Sequence, residues 1–293
     1  MATLQQLKKG IASTKSIQKI TNAMQMVAAS KLKKAQENAE KSRSYAQVIQ
    51  HIVSHLGETA LSHPYLKKCT SEEVKHEVFI VVSSNRGLCG GFNNNLFKTL
   101  LTTLRQKTKN HQVSLCIIGK KAADFFIPLQ DSCGFNVLTT IDTPATKALN
   151  IADLIGTMKT IFDGLNDGLY QKVHLAFNRF NNVISQTPEL QQMIPIDHEI
   201  EELKSPNQQH WDYLYEEEEL TLLSQVLKRY LESQLYQAVV ESVAGEQAAR
   251  MTAMQQAKDN AGDMIEQLNL DYNQIRQAKI TQEISEIING SEY

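Results

Sequence analysis

The sequence predicts an α/β fold with long helices: one helix at each end of the chain and a middle domain built on a parallel sheet. Residues 3–56 and 218–289 contain no proline, which favours long uninterrupted helices. Residues 74–196 instead hold short runs of β-branched and apolar residues, as strands do. The chain has 293 residues, 42% of them hydrophobic, so it is long enough to bury a sizeable core.

The N-terminal segment, 1–57, is predicted to form one helix, roughly 80 Å long at the usual rise per residue. A helix of this length needs a partner helix along much of its length. We expect that partner to be the C-terminal segment, 218–293, paired with it antiparallel. Apolar residues recur in steps of three and four, which predicts one apolar stripe on the N-terminal helix, but the phase slips between Ile11 and Ile17, so the predicted seam is not a regular heptad. The stripe comprises Leu4, Leu7, Ile11, Ile17, Ile20, Met24 and Val27, and its C-terminal counterpart runs from Leu220, Leu223, Leu227 and Leu235 to Met264, Leu268, Ile284 and Ile287.

The middle domain, 74–196, alternates strands with helices, which is typical of a doubly wound parallel sheet. Residues 183–196 predict a further pair of strands interrupted by Pro188 and Pro195. Strands are expected at 76–84, 112–119, 135–140 and 171–180, and helices at 92–109, 120–127 and 145–164.

Charge is segregated along the chain. Residues 1–43 carry nine Lys and Arg against two Glu, whereas residues 197–219 carry nine acids against Lys204. These segments either pair with each other or meet a partner. The segment 197–217 also contains the only tryptophan, Trp211, so it is either a solvated acidic connector or a docking surface with aromatic anchors.

A glycine-rich stretch, SSNRGLCGGFN at 83–93, follows the first predicted strand. Phosphate loops begin in this way, but the spacing of Gly87, Gly90 and Gly91 matches neither G-x-x-x-x-G-K-[ST] nor G-x-G-x-x-G. The stretch is therefore predicted to be a structural turn with Cys89 as a buried spectator thiol. A nucleotide-binding enzyme that uses this loop is the alternative function.

Other classes of function find little support in the composition. The histidines and four cysteines show no zinc-ligand spacing, so no metal, cofactor or catalytic residue is predicted. No run of 18 apolar residues is present. A coiled-coil nucleic-acid binder is a third hypothesis, but the pI of about 6.5 and the lack of aromatics in the basic helix weigh against it. The predicted geometry suits a shaft, lever or spacer.

Six further blocks are distinctive: QKITNAMQMVAASKLKKAQ (18–36), NRGLCGGFN (85–93), WDYLYE (211–216), LKRYLESQLYQAVVES (227–242), EQAARMTAMQQAKDN (246–260) and YNQIRQAKITQEISEIINGS (272–291). Together they resemble the gamma subunit of bacterial F-type ATP synthases. The resemblance extends over essentially the whole chain and implies an antiparallel coiled coil of the N- and C-terminal helices with a Rossmann-like α/β middle domain. It also implies a non-catalytic central-stalk rotor that couples ion flow through the membrane ring to ATP synthesis or hydrolysis at the beta subunits.

The same resemblance implies partners and contact residues. The partners are the hexamer of alpha and beta subunits, the epsilon subunit and the c-ring, with no nucleic acid and no small-molecule substrate of the chain's own. The basic residues of the first helix are expected to meet acidic loops of the beta subunits. Contacts with the alpha and beta subunits are expected at Met24, Lys33, Lys34, Gln247, Arg250, Arg276, Gln277, Thr281, Glu283 and Glu286. Contacts with the ring and epsilon are expected at Trp211, Asp212, Tyr213, Leu214, Tyr215 and Glu216.

The resemblance begins within the first few residues, so the basic N-terminus is expected to be mature helix rather than a transit peptide. This indicates a bacterial complex, with the chain peripheral on the cytoplasmic face of the inner membrane. Four departures from the family pattern stand out, and the first is Asn22, where Lys is usual. Asn85 stands where the family has Asp, Gly245 stands where Ser is common and is expected to soften the shaft, and Ser291-Glu292-Tyr293 replaces small apolar residues. The middle lacks the inserted cysteine pair of the light-regulated chloroplast relatives.

Overall fold

The protein forms two compact units in a computed structural model that describes residues 3–55, 63, 65–66, 74–141, 151–196 and 219–290. The two-helix unit comprises Met1–Ser30 with Arg250–Tyr293, and the α/β unit comprises Lys31–Ala249. The first helix, α1, spans Leu4–His55 and the last, α6, spans Glu219–Gly290, so each contributes residues to both units. None of the described helices is long and apolar enough to cross a membrane.

The α/β unit is built on a five-stranded sheet with the strands β1 His76–Val82, β2 Gln112–Ile118, β3 Phe135–Ile141, β4 Lys172–Phe180 and β5 Gln186–Ile194. Their order in the sheet is β3-β2-β1-β4-β5. Strands β1 to β4 are parallel, as predicted, and β5 is antiparallel to β4. The helices between the strands are α2 Phe92–Lys107, α3 Lys120–Phe126, a 3-10 turn Ile127–Leu129, α4 Gln130–Cys133 and α5 Ile151–Asn166.

The prediction of a strand pair within 183–196 is wrong, because the structure has the single strand β5 there. Pro188 lies inside this strand, opposite Asn178 of β4. Among the described strands, β5 pairs only with β4 and forms an edge of the sheet. A proline is tolerated on an edge strand because the missing N–H can face outward.

Helices cover both faces of the sheet. Alternate residues of β1 point to opposite sides, so Val78 and Ile80 enter one core and Phe79 and Val81 enter the other. Helices α2 and α3 cover the Phe79 side, whereas α5 covers the Val78 side. The segment 223–239 of α6 also lies in the Val78 core. The predicted Leu223 to Leu235 stripe is therefore buried against the sheet.

The two-helix unit consists of antiparallel helices, as predicted. A Cβ placed on Gly10 would lie 3.8 Å from Cδ1 of Leu268, and Oγ1 of Thr14 lies 4.0 Å from Sδ of Met264. Further along α1, a Cβ on Gly262 would lie 3.3 Å from Nε2 of Gln18. Residue numbers on α6 fall as those on α1 rise, which defines the antiparallel register.

The predicted apolar stripe of α1 is wrong in part: Leu7 is buried and Leu4, Ile11 and Met24 are half-buried, but the other three members are exposed. Ile17, Ile20 and Val27 are exposed to 51%, 58% and 56% of their surface. The buried positions of α1 in this unit recur every seven residues and are mostly small or polar: Leu7, Thr14, Thr21 and Ala28. A seven-residue repeat is that of a left-handed coiled coil, and short side chains at the seam allow the two backbones to approach closely.

Candidate functional surfaces and the glycine-rich turn

The glycine-rich turn between β1 and α2 is closed by its own side chains. Asn93 donates from Nδ2 to Oγ of Ser84 at 2.7 Å and accepts at Oδ1 from the Ser84 amide at 3.2 Å. Ser84 in turn donates from Oγ to the Arg86 carbonyl at 2.8 Å. Cys89 lies buried against this cluster, as predicted for a spectator thiol. These polar groups are satisfied within the turn, which is the arrangement of a structural corner.

The backbone of the turn is unusual at one residue that the sequence did not single out. Leu88 has a φ of 61°, a conformation that costs a residue with a side chain about 1 kcal/mol or more. Of the three glycines in this turn only Gly90 has a positive φ, at 58°. Leu88 is also largely exposed, beside an open groove of about 330 Å³ between α2 and α3 that Phe97 and Phe125 also line.

The crevice in which folds of this type bind nucleotides is filled by the chain itself. In an open α/β sheet the ligand binds at the carboxyl ends of the strands where the strand order reverses, which is between β1 and β4 here. At this position Asn178 of β4 donates from Nδ2 to the Phe92 carbonyl at 3.1 Å. Helix α6 packs over it, since a Cβ on Gly245 would lie only 3.1 Å from Cε2 of Phe92.

This packing gives Gly245 a structural role, because a side chain at this position meets the Phe92 ring and Cγ of Gln186 at 3.4 Å. It also places α6 over the crevice between β1 and β4, the position where folds of this type bind a nucleotide. Within the described ranges, no three His, Cys, Asp or Glu residues are grouped so that they could hold a metal ion.

Asn85 links the turn to α3. Its Oδ1 accepts a hydrogen bond of 2.9 Å from the amide of Lys120, the first residue of that helix. The N-cap residue, Gly119, has no side chain to cap the helix, so Asn85 takes over this role from a distant position in the sequence.

We expect Asn85→Ala to lower the free energy of unfolding of the α/β unit by about 1 kcal/mol, because the Lys120 amide loses its acceptor. Asn85→Asp retains an acceptor and adds a negative charge at a helix N-terminus, so it should leave stability unchanged or raise it by a few tenths of a kcal/mol. Urea unfolding of both variants measures this. Equal losses in the two variants would contradict the capping role.

A second polar cluster is buried at the amino ends of the strands. Glu77 of β1 is 1% exposed and accepts hydrogen bonds from Nζ of Lys107 at 2.9 Å and Nε2 of His174 at 3.0 Å. Burial by itself raises the pKa of Glu77, but the hydrogen bonds from His174 and Lys107 outweigh it and lower that pKa to about 2. The carboxylate therefore ties α2 to β1 and β4, and its role is structural.

Beyond the paired region, α6 continues as a single helix. The register between Gly10 and Leu268 places the first residue of α1, Leu4, near residue 274 of α6. Every described side chain from 276 to 287 is exposed. We call 276–290 the overhang; at 1.5 Å per residue it is about 22 Å long. It presents exposed Ile280, Ile284 and Ile287 along one face.

Comparison with known proteins identifies the family. The model of the ATP synthase family matches residues 3–292. The chain is 48% identical over 294 residues to the ATP synthase gamma chain of Nitrosococcus oceani and 44% identical over 298 residues to that of Haemophilus influenzae, with 99% of each chain covered in both cases. The chain belongs to the ATP synthase gamma-chain family.

Solved structures agree with the gamma-chain fold. The rotor of the Euglena gracilis mitochondrial ATP synthase in rotational state 1 superposes with a TM-score of 0.62 at 17% identity, covering 94% of this chain and 98% of that one. In a structure of the OSCP/F1/c-ring assembly of the same enzyme in rotational state 3, the match has a TM-score of 0.67 at 18% identity, covering 98% and 92%. At this level of identity the likeness shows the fold.

The contact residues that the gamma-chain resemblance implies differ in exposure. The five on the overhang lie together on one exposed segment, and Lys33 and Lys34 are exposed neighbours on α1. Met24 is half-buried, and Gln247 and Arg250 are each only 9% exposed. The overhang residues are Arg276, Gln277, Thr281, Glu283 and Glu286, and the predicted ring and epsilon contacts, Trp211 to Glu216, lie outside the described residues.

Sequence reasoning missed the exposed apolar residues of these surfaces. It assigned Ile17, Ile20 and Val27 to an internal stripe and extended the C-terminal stripe to Ile284 and Ile287, whereas all five are exposed. One signal in the sequence bears on this. The apolar spacing of α1 slips in phase between Ile11 and Ile17, which indicates that the apolar residues do not all follow one seam.

Proposed function

We propose that this chain is the central-stalk rotor of a bacterial F-type ATP synthase, which turns within a hexamer of alpha and beta subunits. As a gamma chain it is a non-catalytic subunit, and ATP chemistry belongs to the beta subunits. The observation that carries the proposal is the paired helix ending in an exposed single helix, on a chain that matches gamma chains over its full length. A shaft requires length and an asymmetric end rather than a pocket.

The closed crevice supports the same reading. An α/β unit whose nucleotide position is filled by α6 at Gly245 provides a rigid base for a helix rather than a binding site. Reconstitution tests the function: alpha and beta subunits with and without this chain are assayed for ATP hydrolysis, and the assembled enzyme in vesicles is assayed for ATP-driven proton pumping. Pumping should depend on the chain, and pumping without it would overturn the proposal.

For the overhang we propose an apolar bearing at the end of the shaft. Ile280, Ile284 and Ile287 would contact apolar walls of the hexamer, while Arg276 and Glu283 on the same helix contact polar groups. Within the chain, Lys279 lies 3.9 Å from Glu283, and Gln282 donates to Glu286 at 2.9 Å. These neighbours on one helix stabilise it by only a few tenths of a kcal/mol each, so the polar side chains can exchange them for partner contacts.

Gln247 and Arg250 would contact the hexamer through the small part of each side chain that reaches the surface. Most of each side chain is buried within the chain itself. We therefore propose that these two residues set the position of α6 as well as touching a partner. Met24, which is half-buried, would contribute in a similar way from α1.

Lys33 and Lys34 are proposed to meet acidic loops of the beta subunits. We expect the double substitution Lys33→Glu with Lys34→Glu to lower ATP-driven proton pumping by roughly tenfold or more, because it juxtaposes like charges at the interface. The matched control is Lys98→Glu with Arg105→Glu, an equal change of charge on the exposed face of α2. Unchanged pumping and ATP synthesis in the first variant would refute the role, as would an equal loss in the control.

The foot of the rotor, residues Trp211 to Glu216, is proposed to rest on the c-ring beside epsilon. The support is the resemblance of WDYLYE to the gamma-chain pattern, together with its aromatic content. Tryptophan fluorescence offers a direct test, since Trp211 is the only tryptophan of the chain. Its emission should shift to shorter wavelength when the epsilon subunit or a detergent-solubilised c-ring is added, and an unchanged spectrum with both would contradict the contact.

As part of the membrane-associated F1 complex, the chain is proposed to lie on the cytoplasmic face of the bacterial inner membrane. The support is its identity of 44–48% to gamma chains of bacteria. Protease digestion tests the side of the membrane. Degradation in inside-out vesicles combined with protection in intact spheroplasts is expected, and the reverse pattern would overturn the assignment.

A further inference from the structure

Tyr65, which precedes β1 in the sequence, is packed into the α/β unit against two other parts of the chain. It is 2% exposed, and its ring stacks on that of Phe162 in α5 with 5.6 Å between the ring centroids. Its hydroxyl donates to Oδ1 of Asn166 at 3.4 Å, and its carbonyl accepts from the Ile196 amide at 3.0 Å. Tyr65 therefore joins α5 to the chain just after β5.

His63 connects Tyr65 to the start of α6. Nε2 of His63 lies 3.0 Å from Oγ of Ser224, and Nδ1 of His63 accepts a hydrogen bond of 3.3 Å from the Tyr65 amide. Because Nδ1 is an acceptor, the ring is neutral, carries its proton on Nε2 and donates it to Ser224. The ring also packs edge-on against the Tyr65 ring, with 4.7 Å between the centroids. The contacts of both ring nitrogens thus fit the neutral form of His63.

Protonation of His63 is incompatible with this arrangement. A proton added to Nδ1 would point at the N–H of Tyr65, so the hydrogen bond between them would be lost. Among the described residues, Lys228 of α6 faces His63 and Asp163 of α5 faces Tyr65. Burial and then Lys228 lower the pKa of His63 from its ordinary 6.5, in agreement with a ring that is held neutral.

We propose that His63 and Tyr65 form a pH-sensitive latch, which ties the start of α6 to α5 and to the end of β5 and releases it on acidification. The open latch binds a proton more readily than the closed one. The stabilisation by the latch is therefore complete above pH 6.5 and is lost as the pH falls below 6.5. Ile196 and Ser224, which the latch holds, lie on either side of 197–218 in the sequence, the segment that contains the foot residues.

NMR of the full-length chain with ¹⁵N-labelled histidine tests the state of the His63 ring. The ring should be the Nε2–H tautomer at pH 7.5, and it should titrate with a midpoint below pH 6.5. His63→Asn identifies the resonances of His63 by their loss. A ring with its proton on Nδ1, or a midpoint at or above pH 6.5, would overturn the proposal.

Hydrogen exchange measures the opening of the latch at pH 7.5 and pH 5.5, after correction for the intrinsic effect of pH on exchange. In the wild type, amides of 223–230 should lose protection by about threefold or more at the lower pH. His63→Asn keeps an acceptor for the Tyr65 amide but has no ring to titrate and no group in the place of Nε2. Protection in this variant should therefore change much less between the two pH values.

His111→Asn is the matched control. His111 is also half-buried, but its Nδ1 donates to the Val74 carbonyl at 2.7 Å, a bond that the protonated ring keeps. The control should lose the same protection at pH 5.5 as the wild type. A control that behaves like His63→Asn would show that the effect is not specific to the latch and would overturn the proposal.

The tests separate the latch from the proposed function, because they use the free chain. Loss of assembly or of pumping would overturn the proposed function without changing the NMR or exchange results. If the chain assembles and pumps but the wild type and His63→Asn lose equal protection at pH 5.5, the latch alone is overturned. A greater loss in the wild type than in His63→Asn, with His111→Asn following the wild type, would support it.

Discussion

Gly119→Ala is expected to lower the free energy of unfolding of the α/β unit by about 4 kcal/mol or more. Gly119 joins β2 to α3 with a φ of 105°, a region that residues with a side chain rarely adopt. A Cβ at this position would overlap the carbonyl oxygen of Ser83. Strain in the backbone and this overlap act together.

Ser83 cannot move away from the added Cβ without losing hydrogen bonds. The Ser83 amide donates to the Ile118 carbonyl at 2.8 Å, and Oγ of Ser83 accepts from the Ala122 amide at 3.0 Å. Moving Ser83 away from a new Cβ therefore breaks bonds that hold β1 to β2 and to the start of α3. Because both strands are central in the sheet, we expect little soluble folded protein from this variant at 37 °C.

Gly134→Ala provides the matched control. Gly134 ends α4 with a φ of 73°, so alanine is also unfavourable there, but no atom lies within 4 Å of the added Cβ. The expected loss is about 1 kcal/mol, the cost of the left-handed conformation alone. Urea unfolding followed by circular dichroism compares the two variants. Similar unfolding midpoints for the two variants would show that the contact with Ser83 does not add to the loss of stability in Gly119→Ala.

The second large effect is a loss of folding stability at acidic pH that arises from Glu77. The pKa of Glu77 is about 2 in the folded protein, compared with 4.5 in the unfolded chain. The unfolded chain therefore binds a proton at this carboxylate more readily than the folded one. The carboxylate therefore stabilises the fold fully above pH 4.5, and this stabilisation is lost as the pH falls from 4.5 towards 2. The difference corresponds to about 3 kcal/mol. Glu77→Gln should remove this part of the acid sensitivity and destabilise the fold at pH 7, because Lys107 loses its charged partner.

The measurement is the free energy of unfolding of both proteins between pH 7 and pH 2.5. The curves are expected to lie furthest apart at neutral pH and to approach each other as the pH falls. Glu189→Gln is the control, since Glu189 is partly exposed and pairs with an exposed Arg179 at 3.3 Å. Such surface pairs contribute about 0–1 kcal/mol, so this variant should follow the wild type. Parallel curves for wild type and Glu77→Gln would mean that Glu77 does not titrate as proposed.

The middle of the fold was predictable because its strands carry their signal locally. Runs such as Val78 to Val82 and Val113 to Ile118 are buried on both faces, and continuous apolar runs of this length are typical of parallel strands. The strand β5 was predicted as two strands because Pro188 indicates an interruption, and only the topology shows that β5 is an edge strand, where a proline is tolerated. Local sequence does not contain that information.

The α1 seam was mispredicted for a different reason. Apolar periodicity reports every surface that a helix must bury, whether against its own chain or against another subunit. Ile17 and Ile20 therefore dominate the pattern, although the internal seam uses Thr14 and Thr21. In the same way, the sequence could exclude phosphate-loop spacing at 83–93, but it could not show that Gly245, about 150 residues away, closes the crevice.

The packing of Gly245 has a mechanical consequence. At the carboxyl ends of the strands, where enzymes of this architecture bind a substrate, this chain instead packs its own helix α6. The Phe92 ring and Gln186 of β5 both lie against Gly245. We infer that α6 is clamped at this point between α2 and β5, so a torque on α6 would act on the sheet through the contacts of Gly245 with Phe92 and Gln186.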